Sequence, residues 1–111
     1  MWIMVAGPYA SGTADEATRA ARSLPWNRAA LALFGLRHVP VIGVNLALPL
    51  IAEAGSEAYD EIMLPLSLAL AERCEACLRI GGVSTGADAE VTRFATRGLP
   101  VYRRVEDVPR G

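Results

Sequence analysis

The sequence predicts an α/β fold in which a parallel sheet of four to five strands is sandwiched by helices. Short apolar, β-branched runs alternate with longer segments of helical spacing, the pattern of consecutive βα units. Two of those runs break into glycine-rich turns, Gly7-Pro-Tyr-Ala-Ser-Gly12 and Gly81-Gly-Val-Ser-Thr-Gly86, of the kind that leads a strand into a helix. At 111 residues the chain suits one hydrophobic core, and its 52% apolar content is enough to fill it, so a single domain over residues 1–111 is expected.

The elements follow in order. Trp2 to Ala6 is the first strand; with no basic segment before it and a Gly-Pro loop straight after, Met1 to Gly7 reads as strand and not as signal peptide. Thr13-Ala-Asp-Glu16 has the spacing of a capping box, which satisfies two orphan N–H groups where a helix starts. An alanine-rich helical segment then runs to about Leu36. Pro25 lacks an N–H and crowds the preceding turn, so a kink, or two helices meeting near Leu24, is expected. Val39 to Val44 is apolar throughout and reads as a second strand buried on both faces.

Asn45 to Ser56 is irregular, with Pro49 and Gly55, and is expected to be a flexible lid. From Glu57 to Cys74 the apolar positions Ile62, Met63, Leu66, Ala69, Leu70 and Cys74 repeat at helical spacing, with a bend expected at Pro65. Ala76 to Ile80 forms the third strand and Asp88 to Arg97 a helix. Gly98-Leu-Pro100 stops that helix and leads into a short last strand, Val101-Tyr102. The arrangement is that of a small Rossmann-like (flavodoxin-like) sheet.

Composition narrows the function. A net charge of −1, from 11 basic and 12 acidic residues, offers no basic patch for a nucleic-acid polymer, so small ligands are the expected partners. The longest uncharged stretch, Val39 to Ala52, is interrupted by Pro40 and Pro49 and is too short to span a bilayer, so a cytoplasmic protein without a membrane partner is expected. Cys74 and Cys77 have the spacing of half a zinc or redox motif. With no second cysteine pair and His38 as the one histidine, zinc would lack ligands; no metal is expected, and Cys77 reads as a small buried hydrophobe. His38 itself reads as structural or solvent-exposed.

Parallel strands place the two glycine-rich loops at the same end of the sheet, so Tyr9, Ser11, Ser84 and Glu90 are expected to share one cleft. Neither loop has the dinucleotide fingerprint or a P-loop lysine. Two readings of Glu90 stay open at this point: a first-turn glutamate favoured by the helix dipole, and a carboxylate that attacks an electrophilic sugar carbon while the loop holds an anionic part of the same molecule. Asp88 reads as a first-turn residue facing solvent or a sugar hydroxyl.

Val5-Ala-Gly-Pro-Tyr9, Gly43-Val-Asn45, Leu68-Ala-Leu-Ala-Glu-Arg-Cys74, Ser84-x-Gly86-x-x-x-Glu90 and Gly98-Leu-Pro-Val101 together give the chain a resemblance, over almost its whole length, to the nucleoside 2-deoxyribosyltransferase-like superfamily. That superfamily includes deoxyribosyltransferases and 2′-deoxynucleoside 5′-monophosphate N-glycosidases, and short bacterial members are the most similar. The resemblance implies that Glu90 is the nucleophile at the anomeric carbon of a nucleoside or nucleotide. It also implies an acid that protonates the departing base. The family's aspartate before the third strand corresponds to Glu75, one methylene longer.

Gly7, Tyr9, Ser11, Gly12, Asn45, Ser84 and Gly86 are the expected substrate-binding residues, with two readings open for Tyr9, a border of the base or a loop anchor packed on its own domain, and for Asn45, a contact to the base or a cap of the next turn. Serine at position 84, where transferases of the family tend to carry aspartate, points to a 5′-phosphate; the first loop, however, lacks the arginine that phosphate-binding relatives often have. No cofactor is implied, and a homo-oligomer, dimer or tetramer, in which a neighbour completes the site is expected. The alternatives are a non-catalytic nucleotide-binding or sensing protein and, on fold analogy alone, hydrolysis of another N-riboside such as a nicotinamide dinucleotide.

Overall fold

The computed structural model describes residues 1–8 and 16–111, the side chains of 16–24 excepted. It is an α/β fold with a four-stranded, all-parallel sheet. The elements run β1 (Trp2–Ala6), α1 (Glu16–Gly35), β2 (Val39–Val41), α2 (Gly43–Ala54), α3 (Tyr59–Ala71), β3 (Ala76–Arg79), α4 (Thr85–Thr96) and β4 (Val101–Tyr102), with single 3-10 turns at Ser56–Ala58 and Val105–Asp107. Strand order is β2-β1-β3-β4. Met4 pairs with Val41 on one side and Cys77 on the other, and Cys77 pairs in turn with Val101.

The period of two along a strand sorts side chains to opposite faces. Ile3 and Val5 of β1, with Ala76 and Leu78 of β3, pack under α1 against Trp26, Ala29 and Leu33. Met4, Ala6 and Cys77 face the other way, against Ala71, Cys74, Ala87 and Phe94. Both central strands are therefore buried on both faces, which is why their sequences are nearly continuous apolar runs. A third cluster, Ala47, Ile51 and Met63, joins α2 to α3.

Three expectations need correction. Pro25 does not divide α1, which runs unbroken through it. Proline removes one ladder bond, whereas Trp26, Ala29 and Leu33 all bury on the sheet beyond it and hold the helix there. β2 stops at Val41, short of the expected Val44, and the expected lid is a helix, α2, with Pro49 inside it. The reason lies at Gly43: a Cβ there would come within 2.4 Å of Ser67 Oγ, so only glycine lets the start of α2 approach α3 this closely. Ala47 and Ile51, one turn apart, then bury against Met63.

His38 is 3% exposed, and its role is structural. Its Nε2 donates to the Pro109 carbonyl at 2.6 Å, which leaves Nδ1 to accept from the Met1 nitrogen at 2.9 Å. The ring thereby ties the start of β1 to the segment after β4. Cys74 and Cys77 are buried free thiols. Burial pushes Cys77 up to about 12 and Cys74 up to about 11, so neither is a thiolate near neutrality. Among the described residues no helix is long and apolar enough to cross a membrane.

Candidate functional site

In open α/β sheets ligands settle outside the carboxyl ends of the strands, where neighbouring connections leave the sheet in opposite directions. Here that point lies between β1 and β3, since β1 leads out to β2 and β3 leads the other way to β4. A cleft of about 360 Å³ opens there, lined by Gly7 after β1, by Ser84 at the start of α4 and Gly86, Ala87 and Glu90 within it, and by Tyr59, Asp60, Met63, Leu64 and Ser67 of α3.

The two loops reach each other because of glycine. Gly81 has φ +77°, and a Cβ on it would stand 2.6 Å from the Pro8 ring, so the turn after β3 closes directly on the loop after β1. The Ile80 N–H donates to the Ala6 carbonyl at 2.8 Å, carrying the β1–β3 ladder to the edge of the cleft. Ser84 then starts α4, its Oγ accepting from the Ala87 N–H at 3.1 Å. This leaves the N–H groups of Thr85 and Gly86 without intrahelical acceptors at the mouth of the cleft, where an anion would find them. Ser84→Ala is expected to cost about 1 kcal/mol of stability through the lost cap, read as a fall in Tm of about 4 °C by thermal denaturation.

Glu90 lies on α4 facing the cleft and is only partly exposed. Burial raises its carboxyl from 4.5 to about 7, while the Arg79 guanidinium pulls in the opposite direction. The carboxyl thus changes charge near neutrality, in a cleft that also holds the first turn of α4.

Of the residues expected from sequence, Gly7, Ser84, Gly86 and Glu90 come together here. Tyr9, Ser11 and Gly12, and Thr13 of the expected capping box, lie outside the described residues. Glu75 is not in the cleft. It precedes β3, at the amino end of the sheet, and its Oε1 accepts from the Trp2 N–H at 3.0 Å while its own N–H donates to the Trp2 carbonyl at 2.8 Å. The length of β3, roughly 13 Å, separates it from Arg79 and the cleft. Asn45 is likewise elsewhere, in the first turn of α2, exposed, with Nδ2 3.4 Å from Asn27 Oδ1. The segment expected to end a strand at Asn45 is helical, and the side chain turns towards α1. Asp88 is exposed but pairs with Arg79 at 3.6 Å.

The structure adds residues that periodicity and motif spacing do not single out. Asp60, Tyr59 and Ser67 form the α3 wall. Their stripe reads as core because Met63 and Leu64 lie in it; the signal is a lone serine in an apolar helix, with Asp60 two turns before it on the same face. Arg79 is hidden in a strand that is otherwise apolar, although a single arginine there is the kind of buried charge that needs a reason.

Among the described residues, no group of histidine, cysteine, aspartate and glutamate is arranged to hold a metal ion. No protein-family model matches the chain. No curated protein matches it significantly either.

Proposed function

We propose that the protein cleaves or transfers at the N-glycosidic bond of a (deoxy)nucleoside, with a 5′-monophosphate as the substrate form that suits the cleft best. One observation carries this reading: Glu90 and the open N-terminus of α4 border the same cleft, so a carboxylate and an anion-binding edge can act on two ends of one small molecule. The ionised Glu90 attacks the anomeric carbon as the C–N bond breaks, and the bond's electrons leave with the base. Positive charge develops on the sugar in between, and the carboxylate stabilises it before capturing it as an ester. Water, or an acceptor base, then displaces Glu90 from the same carbon.

The departing base needs a proton, and Glu75 stands too far away to supply one. Asp60, the carboxyl group on the facing wall, takes that role in this proposal. The remote position of Glu75 also favours a second reading, a nucleotide-binding protein without turnover.

Incubation of the protein with nucleosides, 2′-deoxynucleosides and their 5′-monophosphates, with free base followed by liquid chromatography, separates the two. Base release is expected from the parent and not from Glu90→Ala, with Asp60→Asn slowed by about 10²-fold or more, the usual contribution of a proton donor. Release that survives Glu90→Ala would overturn the proposed mechanism. Thermal protection by nucleotide without any base release would instead identify a binding protein.

A further inference from the structure

Arg79 is the one charged residue of β3, and it is 7% exposed. Strand alternation sends it to the face covered by α3 and α4, below the first turn of α4. Its Nη1 donates to the Ile80 carbonyl, and its Nη2 donates to the Gly82 carbonyl at 2.6 Å. Nη2 also lies 3.6 Å from Asp88 Oδ1, a carboxylate that is itself 67% exposed, while Nε is buried with no partner among the described residues.

As a stabilising device this arrangement is poor. A buried guanidinium loses its hydration, one donor finds no acceptor among the described residues, and the counter-charge sits in solvent where it is screened. An apolar side chain would fill the same space at lower cost. The planar fork does something an apolar residue cannot, because it grips two carbonyls of the turn that leads into Ser84 and holds its charge near Asp88 in the first turn of α4, two residues before Glu90.

We infer that Arg79 is the positioning residue of the cleft, clamping the Ile80–Gly82 turn and supplying the positive charge against which Glu90 ionises. Among the described residues, the groups around Glu90 leave this role to Arg79. From β3 come Arg79 and the neutral Cys77 thiol; from α3, across the cleft, Tyr59 and Asp60; from α4 itself, Asp88 and, one turn on, Arg93, which is paired with Glu72; and from the β1 loop, Gly7, which carries no charge. Asp88 offsets part of the arginine's charge, so the two residues act on Glu90 with opposite signs. The clamp and the charge belong to the cleft whatever it binds; their bearing on turnover rests on the glycosidic reading.

The test is a ¹³C-carboxyl NMR titration of Glu90 in the full chain, with Arg79→Met, Arg79→Lys and Asp88→Asn. Arg79→Met is expected to raise the Glu90 midpoint by about one pH unit or more, Arg79→Lys to bring it most of the way back, and Asp88→Asn to move it downward by a few tenths. Amide exchange at Gly81 to Ser84 should quicken in both arginine variants, since lysine cannot grip two carbonyls in one plane. A midpoint unmoved by Arg79→Met, or moved the same way by Arg79→Met and Asp88→Asn, overturns the inference. Should Arg79→Met fail to fold, Asp88→Asn decides, and a midpoint that does not fall overturns it. Base release measured on the same samples keeps the two proposals apart: opposed midpoint changes with no release from the parent refute the glycosidic reading alone, and release without such changes refutes the role of Arg79 alone.

Discussion

Glu90→Gln is expected to lower base release by about a thousandfold or more, and to make the fold more stable above neutrality. The first effect follows from removing the nucleophile while keeping the shape of the side chain. The second follows from the raised carboxyl. Between pH 4.5 and about 7 the folded protein holds a proton on Glu90 that the unfolded chain has already released. The stability that the protonated carboxyl contributes is therefore fully present below about 4.5 and is lost as pH rises through about 7.

Glutamine never ionises, so the variant escapes that loss. Each tenfold difference in proton affinity between folded and unfolded chain is worth about 1.4 kcal/mol, discounted here because the side chain still meets solvent. The variant should therefore gain about 2 kcal/mol at about pH 8.5 and less than about 0.5 kcal/mol near pH 4.5. Urea unfolding at the two pH values checks this; an equal difference at both would show that Glu90 titrates normally. Turnover by the parent runs the other way, because only the carboxylate attacks. Base release should rise as pH passes through about 7, where Glu90 becomes the attacking carboxylate.

Phe94→Ala is expected to cost about 3–5 kcal/mol, a large fraction of the stability of a domain of this size. Phe94 is fully buried and packs with Met4, Ala6, Cys77 and Ala87 between α4 and the sheet. Ala87, Val91 and Phe94 make the stripe that seats the helix, and Glu90 rides on the same helix one turn before Phe94. Removing the ring leaves a cavity and frees the element that aims the carboxylate. Thermal unfolding should show the loss. Phe94→Leu, which fills much of the space, should lose less, and a loss as large as alanine's would mean that ring shape rather than buried volume holds α4.

Much of the fold is legible in the sequence because its signals are local. Trp2 to Ala6 and Val101-Tyr102 coincide with β1 and β4, and β3 ends one residue short of the expected Ile80. The differences cluster at proline. Pro25 and Pro49 each suggest a break, and each lies inside a helix. Proline's cost is one ladder bond and a steric push, a local quantity. The burial that outweighs it, as at Ala47 and Ile51 against Met63, involves residues far apart in sequence. The same distinction explains the site. Ser84, Gly86 and Glu90 are legible together because one loop and one helix turn hold them. Asp60 and Arg79 join them only through the packing of α3 and α4 on the sheet.

The burial on both faces that the sequence suggests for Val39 to Val44 belongs instead to β1 and β3, because β2 is an edge strand with Val39 exposed. By itself, then, the sequence determined the order of the strands and a glutamate one short helical step beyond a glycine-rich turn. These depend on periodicity, turn chemistry and composition, which act over a few residues at a time. Which carboxylates share a cleft was decided by the tertiary structure alone. Glu75 and Glu90 flank the same strand and loop, but a strand has two ends, and only the parallel order β2-β1-β3-β4 makes the carboxyl end the one where loops and helix N-termini converge. Glu75 was left bonded to Trp2 at the far edge, and Asp60 was brought from another helix to face Glu90.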